Sequence, residues 1–105
     1  MSKQATIYVA PDSQVIPDPL GERLTIASAL RSSGFEGATI VETYGMDGGV
    51  LERSYAVTIA NYGDNPETFP DRVHKASLTL RDTFNQDCVL VTWQDVESEC
   101  SHDFA

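Results

Sequence analysis

Six polar side chains stand where the sequence predicts strands and helices to begin or end. Small ligand sites are often built at such places, because a rigid scaffold holds the side chains in position. Carboxylate, hydroxyl and amide groups of this kind bind small polar or cationic ligands through charge-assisted hydrogen bonds. The candidates are Glu42 and Tyr44, leaving the second predicted strand, Glu52 and Ser54, entering the third, and Gln86 and Asp87, entering the fourth.

Each candidate also has an ordinary structural explanation. Glu42 fits a solvated position of an alternating strand, and Tyr44 fits an aromatic residue packed beside a turn. Glu52 fits a surface charge next to Arg53, and residues 85–87 fit the cap and turn at a helix end. The residues alone leave both interpretations open.

Common catalytic and metal-binding motifs are absent from the sequence, which has no GxSxG elbow, no phosphate-binding glycine loop and no HExxH pair. His74 and His102 lack the spacing of metal ligands, and His74 most simply lies on a helix face. Cys88 and Cys100 form no CxxC pair, so two reduced thiols are expected. The motifs indicate no metal and no cofactor, and they leave open whether the protein is an enzyme.

Four strands and two helices are predicted, in the order βαββαβ. Residues 5–10, 38–44 and 53–60 alternate or are rich in β-branched and aromatic residues, with GMDGG as the turn between the last two. Residues 88–93 form an apolar run long enough for a strand buried on both faces.

The two helices are predicted from apolar residues at three- and four-residue spacing. The first follows a proline-rich loop at residues 11–19, long enough to cover a ligand, and ends at Gly34 as its C-cap. The second opens at Pro70 or Asp71 and ends near Asn85. The stripes expected to pack on a sheet are Leu20, Leu24, Ala27 and Leu30 in the first helix, and Val73, Ala76, Leu80 and Phe84 in the second.

This order of elements most economically forms a ferredoxin-like α+β fold, with a four-stranded antiparallel sheet and both helices on one face. A chain of 105 residues suffices for one core, so residues 1–96 are expected to form a single domain and residues 97–105 a flexible acidic tail. Two helices leave one face of the sheet uncovered. Such faces are often buried by self-association.

Charge limits the classes of partner. Sixteen acidic and seven basic residues give a net charge of −9, which repels phosphate backbones and anionic membranes, so nucleic-acid and membrane binding are not expected. An acidic surface suits a cationic ligand or a basic protein, or serves solubility alone. No apolar run approaches the roughly 20 residues of a membrane span, and the N-terminus lacks the layout of a signal peptide, so a cytoplasmic location is expected.

Two segments resemble the bacteriophage S-adenosylmethionine lyases, long called S-adenosylmethionine hydrolases. The first is LRDTFNQDCVLVTW, in which an aromatic-containing helix end leads into Gln86, Asp87 and Cys88 and then Val-Leu. The second is ALRSSGFEGATIVETYG, followed by a turn and LERSY. Together they span roughly residues 28–93.

The resemblance implies a ferredoxin-like homotrimer with sites between subunits that converts S-adenosylmethionine into 5′-methylthioadenosine and L-homoserine lactone without a metal. By the same resemblance, Tyr44 and Glu52 surround the methionine moiety, and Asp87, beside Gln86, takes a position that is acidic in the family. The turn between Tyr44 and Glu52 differs in length from the family's, so Glu42 rivals Glu52 as the site glutamate. Such a protein would deplete the methyl donor in the host cytoplasm and counter restriction.

Two other functions fit the sequence. An acidic inhibitor of a host protein, acting as a DNA mimic, is supported by the charge, although many acidic residues fall in loops and the C-terminal tail rather than along one face. A domain that binds an adenosyl compound without turning it over is the second, and only an assay separates it from a lyase.

Overall fold

The protein has six regular elements, in the predicted order βαββαβ. The computed structural model describes residues 2–11, 18–61 and 67–96. The expected tail at 97–105 and most of the proline-rich loop lie outside these residues. The elements are β1 (Ser2–Val9), α1 (Pro19–Ser32), β2 (Thr39–Asp47), β3 (Val50–Ala60), α2 (Phe69–Thr83) and β4 (Leu90–Val96).

The strands form one antiparallel sheet in the order β2-β3-β1-β4, which confirms the ferredoxin-like α+β fold. Residues that face each other across paired strands project from the same side of a sheet. The buried pairs Ala5 with Ile59, Ile7 with Val57 and Val9 with Tyr55 therefore define the face that the helices cover. The core lies between this face and the two helices.

The buried stripe of α1 follows the prediction at Leu30, which is buried, but differs from it in the first half of the helix. Leu20 and Leu24, expected to lie on the sheet, are 63% and 60% exposed, whereas Glu22 and Ile26 are buried. The helix is rotated so that Glu22 can accept hydrogen bonds from the sheet. Its C-terminus follows the prediction, because Gly34 has a φ of +88° and the amide of Phe35 donates to the carbonyl of Leu30, as in a Schellman motif.

The buried stripe of α2 follows the prediction. Val73, Ala76, Leu80 and Phe84 are all fully buried, since they recur at helical spacing and meet the apolar face of the sheet. Phe69, at the start of α2, also packs edge-to-face on the ring of Trp93 in β4, with 6.2 Å between centroids. This contact ties the edge of the sheet to the helix layer.

The expectation that the fourth strand is buried on both faces is wrong. Both helices lie on one side of the sheet, so only one face of β4, as of every other strand, meets them. Val91 packs against the core, while Leu90 is 61% exposed. Cys88, just before β4, is a free and exposed thiol. No helix in the described part of the chain is long and apolar enough to cross a membrane.

The β2–β3 hairpin extends beyond the rest of the sheet as a two-stranded ribbon. Its strands are joined by Gly48 and Gly49, whose φ values of +57° and +81° suit a tight two-residue turn. β1 pairs with β3 only as far as Tyr55, so residues 50–54 are paired with β2 alone. One backbone edge of this part of β3 has no partner among the described strands.

Across its four-stranded part, the face of the sheet opposite the helices carries no charged side chain. Two hydroxyl pairs join neighbouring strands there: Thr6 with Thr58 at 3.1 Å, and Thr43 with Ser54 at 2.6 Å. Self-association through this uncovered face stays a prediction. The side chains on it include Gln4, Thr6, Tyr8, Thr39, Val41, Thr43, Ser54, Ala56, Thr58, Ala60, Leu90, Thr92 and Gln94.

Candidate functional site

A cleft of about 450 Å³ lies beside the unpaired edge of β3. β1 ends at Val9, and the cleft occupies the space into which that strand would otherwise continue. The turn after α2 closes its other side. The cleft is lined by Ala10, Pro11, Leu51, Glu52, Arg53, Asn85 and Gln86.

The turn after α2 is set by backbone hydrogen bonds. Asn85 adopts a positive φ of 55°, a conformation that Asn tolerates better than most residues. The amide of Gln86 donates to the carbonyl of Arg81 over 2.9 Å, and the amide of Asn85 donates to the carbonyl of Asp82 over 3.3 Å. This is a second Schellman motif. It confirms the capping interpretation of these residues and also places Gln86 against the cleft.

A buried carboxylate lies next to the cleft. Glu22, in the first turn of α1, is only 1% exposed, and its Oε1 accepts hydrogen bonds from Arg53 and Tyr55. Arg53 donates from Nε over 2.7 Å, its Nη2 lies 2.7 Å from the same oxygen as part of the ion pair, and the Tyr55 hydroxyl donates over 2.9 Å. A buried charge requires such partners, and the helix N-terminus also favours a negative side chain. Glu22 is therefore a fixed structural anion.

The same network continues to Glu42 in β2. Arg23 donates from Nη2 to Oε2 of Glu42 over 2.6 Å, and Tyr44 donates its hydroxyl to Oε1 over 3.3 Å. Nε of Arg53 lies 3.9 Å from that same Oε1. The charges alternate along this chain of contacts. We call the set Glu22, Arg23, Glu42, Tyr44, Arg53 and Tyr55 the ion cluster.

Two members of the ion cluster have shifted pKa values. The hydrogen bond that Arg53 donates to Glu22 raises the pKa of Arg53, so its guanidinium keeps its proton. Burial raises the pKa of Tyr55, with the hydrogen bond to Glu22 adding to the shift, because an ionised phenol would be desolvated beside a carboxylate. Both groups are therefore hydrogen-bond donors at neutral pH.

The structure divides the six candidates from the sequence among three places. Glu52 and Gln86 line the cleft. Glu42 and Tyr44 belong to the ion cluster, on the helix-covered face. Glu52 pairs with Gly45 and therefore projects from the opposite face to Glu42. Ser54 lies on the uncovered face, bonded to Thr43, and Asp87 is exposed outside the cleft.

The sequence interpretation missed Glu22 and gave Arg53 no role. Two stripes of similar spacing run along α1, and the more apolar one, through Leu20 and Leu24, was the natural choice for the buried face. The signal for the other stripe is Ile26, four residues after Glu22. A buried glutamate would then demand a cation from the sheet, and Arg53 is a basic residue on the helix-covered side of β3.

A larger concavity, of about 660 Å³, lies at the other end of the sheet. It is bordered by residues 34–39 and by the ends of β1 and β3, with Glu36 as its one charged residue. None of the six candidates lies there, so size alone does not mark the site. Within the described ranges, no three His, Cys, Asp or Glu side chains come together as a metal centre would require.

The cleft is lined by an acidic and a basic residue, Glu52 and Arg53, which are consecutive in β3, project from opposite faces of the strand and both border the cleft at its unpaired edge. Among the described residues, the carboxylate of Glu52 has no ion-pair partner, whereas Arg53 is anchored on Glu22 and Gln86 adds a carboxamide. A carboxylate binds an ammonium group and a guanidinium binds a carboxylate, each through charge-assisted hydrogen bonds. Such a pair suits the zwitterionic end of an amino acid.

Comparison with solved structures supports the resemblance seen in the sequence. No protein-family model and no curated protein matches the chain. The structure is similar to a phage SAM lyase in complex with S-methyl-5′-thioadenosine, with 26% identity, a TM-score of 0.67 and coverage of 90% of this chain and 81% of the other. It is also similar to a phage SAM lyase in the apo state, with 28% identity, a TM-score of 0.69 and coverage of 88% and 78%.

A de novo designed protein, Foldit4, shares the fold alone, at 14% identity and a TM-score of 0.53 over 91% of this chain and 97% of the design. The fold by itself therefore carries no function. The resemblance to phage SAM lyases is confirmed at the level of structure, over most of the chain.

Proposed function

We propose that this protein is an S-adenosylmethionine lyase. In the reaction, an oxygen of the substrate's carboxylate forms a bond to the γ-carbon, and the bond from that carbon to sulfur breaks with its electron pair moving to sulfur. The products are neutral 5′-methylthioadenosine and homoserine lactone, which keeps the ammonium charge. The observation that carries the proposal is the structural similarity to phage SAM lyases over about nine-tenths of the chain.

The contacts of the two rival glutamates favour Glu52 as the ligand of the substrate ammonium. Glu42 is already held by Arg23, Arg53 and Tyr44. Glu52 has no such neighbours among the described residues and lines the cleft. A carboxylate that is free to accept a charge-assisted hydrogen bond is the better ligand for a cation.

The reaction requires little from the protein beyond holding the substrate in a reactive conformation and excluding water from the site. Nucleophile and leaving group belong to one molecule, so holding a near-attack conformer supplies much of the effect, up to about 7–11 kcal/mol in favourable systems. Carboxylate and sulfonium neutralise each other as the bond forms, so a site drier than water favours the less charged transition state. General acid–base catalysis is not required.

The cleft of a single chain is open, and we propose that a homotrimer completes it. Tyr44 and Asp87 lie outside the cleft of their own chain. Tyr44 is 65% exposed and carries an aromatic ring suited to a sulfonium, and Asp87 is exposed as well. In a site between subunits, both would be supplied by a neighbouring copy. Turnover there would deplete the methyl donor in the host cytoplasm and so counter restriction.

Incubation of the purified protein with S-adenosylmethionine, followed by mass spectrometry, tests the proposal. We expect 5′-methylthioadenosine and homoserine lactone, with no added metal or acceptor. In H₂¹⁸O, any homoserine that appears should carry the label in its carboxyl group, because water opens the lactone at the carbonyl carbon. Label in the side-chain hydroxyl would instead indicate direct hydrolysis. Unchanged substrate at high protein concentration would favour a binding protein or an inhibitor.

A further inference from the structure

Arg53 lies between a buried anion and the cleft. Its Nε donates a hydrogen bond to Glu22, and its Nη2 lies 2.7 Å from the same carboxylate oxygen in the ion pair. No hydrogen bond within the described ranges uses its third nitrogen, Nη1, although the side chain lines the cleft and is 25% exposed. Glu22 therefore fixes the orientation of the guanidinium, and the N–H groups of Nη1 remain as donors for a ligand.

The positive charge of Arg53 is balanced before any ligand arrives. Glu22 contacts it at 2.7 Å, and Glu42 lies 3.9 Å from its Nε. An arginine with two acidic neighbours binds a carboxylate mainly through hydrogen-bond geometry, since little net charge remains to attract it.

Resting on the lyase function proposed above, we propose that Arg53 binds the substrate's α-carboxylate and that Glu22 is the positioning residue that orients Arg53 and balances its charge. One carboxylate oxygen accepts from Arg53, and the other attacks the γ-carbon. Glu52 and Arg53 project from opposite faces of β3, but both line the cleft beside the unpaired edge of the strand, so a substrate lying across that edge can place its ammonium at Glu52 and its carboxylate at Arg53.

The balance of charge matters because the carboxylate loses its charge as the lactone forms. A bare arginine would stabilise the charged ground state more than the transition state and would raise the barrier, whereas a neutralised arginine orients the nucleophile with a smaller penalty. Glu22 therefore lowers substrate affinity and raises turnover. If Glu22 only stabilised the fold, its replacement would not strengthen substrate binding while it slows turnover.

Replacing Glu22 by glutamine tests the role of charge with little change in shape. For Glu22→Gln we expect kcat to fall about tenfold and KM to fall with it, because Arg53 becomes a less compensated cation that binds the substrate too well. Glu36→Gln, an exposed acid at the other end of the sheet, is the matched control and should leave both constants unchanged. A fall in kcat with a raised KM would overturn the charge-balancing role.

Replacing Arg53 tests the carboxylate contact. Calorimetry with 5′-methylthioadenosine, which lacks the amino-acid tail, reports folding and the adenosyl part of the site. An uncleavable S-adenosylmethionine analogue that keeps the amino acid reports the tail. For Arg53→Met we expect at least tenfold weaker binding of the analogue and less than twofold change for methylthioadenosine. Arg53→Met leaves the buried Glu22 without its cation, which can destabilise the fold. The double variant Glu22→Gln/Arg53→Met removes both charges and should show the same selective loss of binding to the analogue.

Equal affinity of these variants and wild type for the analogue, or equal losses for both ligands, would overturn the role of Arg53 while wild-type turnover leaves the lyase intact. A wild-type protein that neither cleaves S-adenosylmethionine nor binds methylthioadenosine would overturn the lyase function itself.

Discussion

At the scale of single residues, the two glutamates of the β2–β3 hairpin differ in their contacts, since Glu42 is held by the ion cluster and Glu52 has no ion pair among the described residues. Glu52→Gln should lower kcat/KM about 10- to 100-fold, the loss that corresponds to one charge-assisted hydrogen bond of roughly 1.5–3 kcal/mol. Glu42→Gln should cost only a few-fold, because it perturbs the ion cluster and not the proposed ammonium site. Initial rates across a range of S-adenosylmethionine concentrations measure both. The reverse order of effects would make Glu42 the substrate ligand.

Ionisation of Tyr55 makes the folded protein less stable at alkaline pH. Its folded-state pKa is raised above the ordinary value of 10.0, so the unfolded chain releases the phenolic proton first. The stabilisation is therefore complete below pH 10 and is lost as pH rises through the folded pKa. Tyr55→Phe should flatten this decline and lower stability at neutral pH by about 1–3 kcal/mol, because the hydrogen bond to Glu22 is lost.

Urea unfolding from pH 7 to 11 measures both effects, with Tyr8→Phe, an exposed tyrosine on the uncovered face, as the control. A decline as steep in Tyr55→Phe as in wild type would contradict the assignment.

At the scale of elements, the sequence predicts segments better than it predicts their rotation. The apolar stripe of α2 is predicted correctly, because it rests on one unambiguous pattern. The hairpin turn is predicted in the right place but too long, since β2 continues to Asp47, β3 begins at Val50 and only Gly48 and Gly49 form the turn. In α1, two stripes compete, and a salt bridge from the sheet decides between them. That bridge joins Glu22 to Arg53, 31 residues apart, so no local pattern reveals it.

The rotation of α1 can be tested by paired substitutions. Ile26→Ala removes a fully buried side chain and should cost about 2–5 kcal/mol of unfolding free energy. Leu24→Ala trims a side chain that is 60% exposed and should stay within about 1 kcal/mol. Denaturant titrations give both values. Equal costs would contradict the rotation of α1 described here.

The candidate site was predictable only in part, for reasons that lie in the same elements. Glu52 comes to the cleft because it lies in the part of β3 beyond the point where β1 stops, and Gln86 because it lies in the turn after α2. Ser54 lies two residues further along β3 and projects from the same face as Glu52, but its hydroxyl is bonded to Thr43 across the sheet. An element end predicts nearness to a site. It does not predict whether the side chain is free to bind a ligand.

At the scale of the whole molecule, self-association is the feature on which the proposed site depends. Sedimentation equilibrium should give a mass of three 11.5 kDa chains. Thr58→Lys, which places a charge in the middle of the uncovered and uncharged sheet face, should shift the mass toward the monomer if that face is the contact. Thr58→Ser, which changes the same position without adding a charge, is the matched control. A wild-type monomer that turns over substrate would contradict the shared site.

The internal neutrality of the ion cluster has a consequence for association kinetics. Arg23 and Arg53 are cancelled by Glu42 and Glu22, so the field that reaches solvent from this end of the molecule is set by exposed acids such as Glu52. A cationic sulfonium substrate is drawn along that field, and its capture should slow as added salt shortens the screening length. The thioether product is neutral and feels no such pull. Capture would then depend on ionic strength, while departure of the nucleoside product would not.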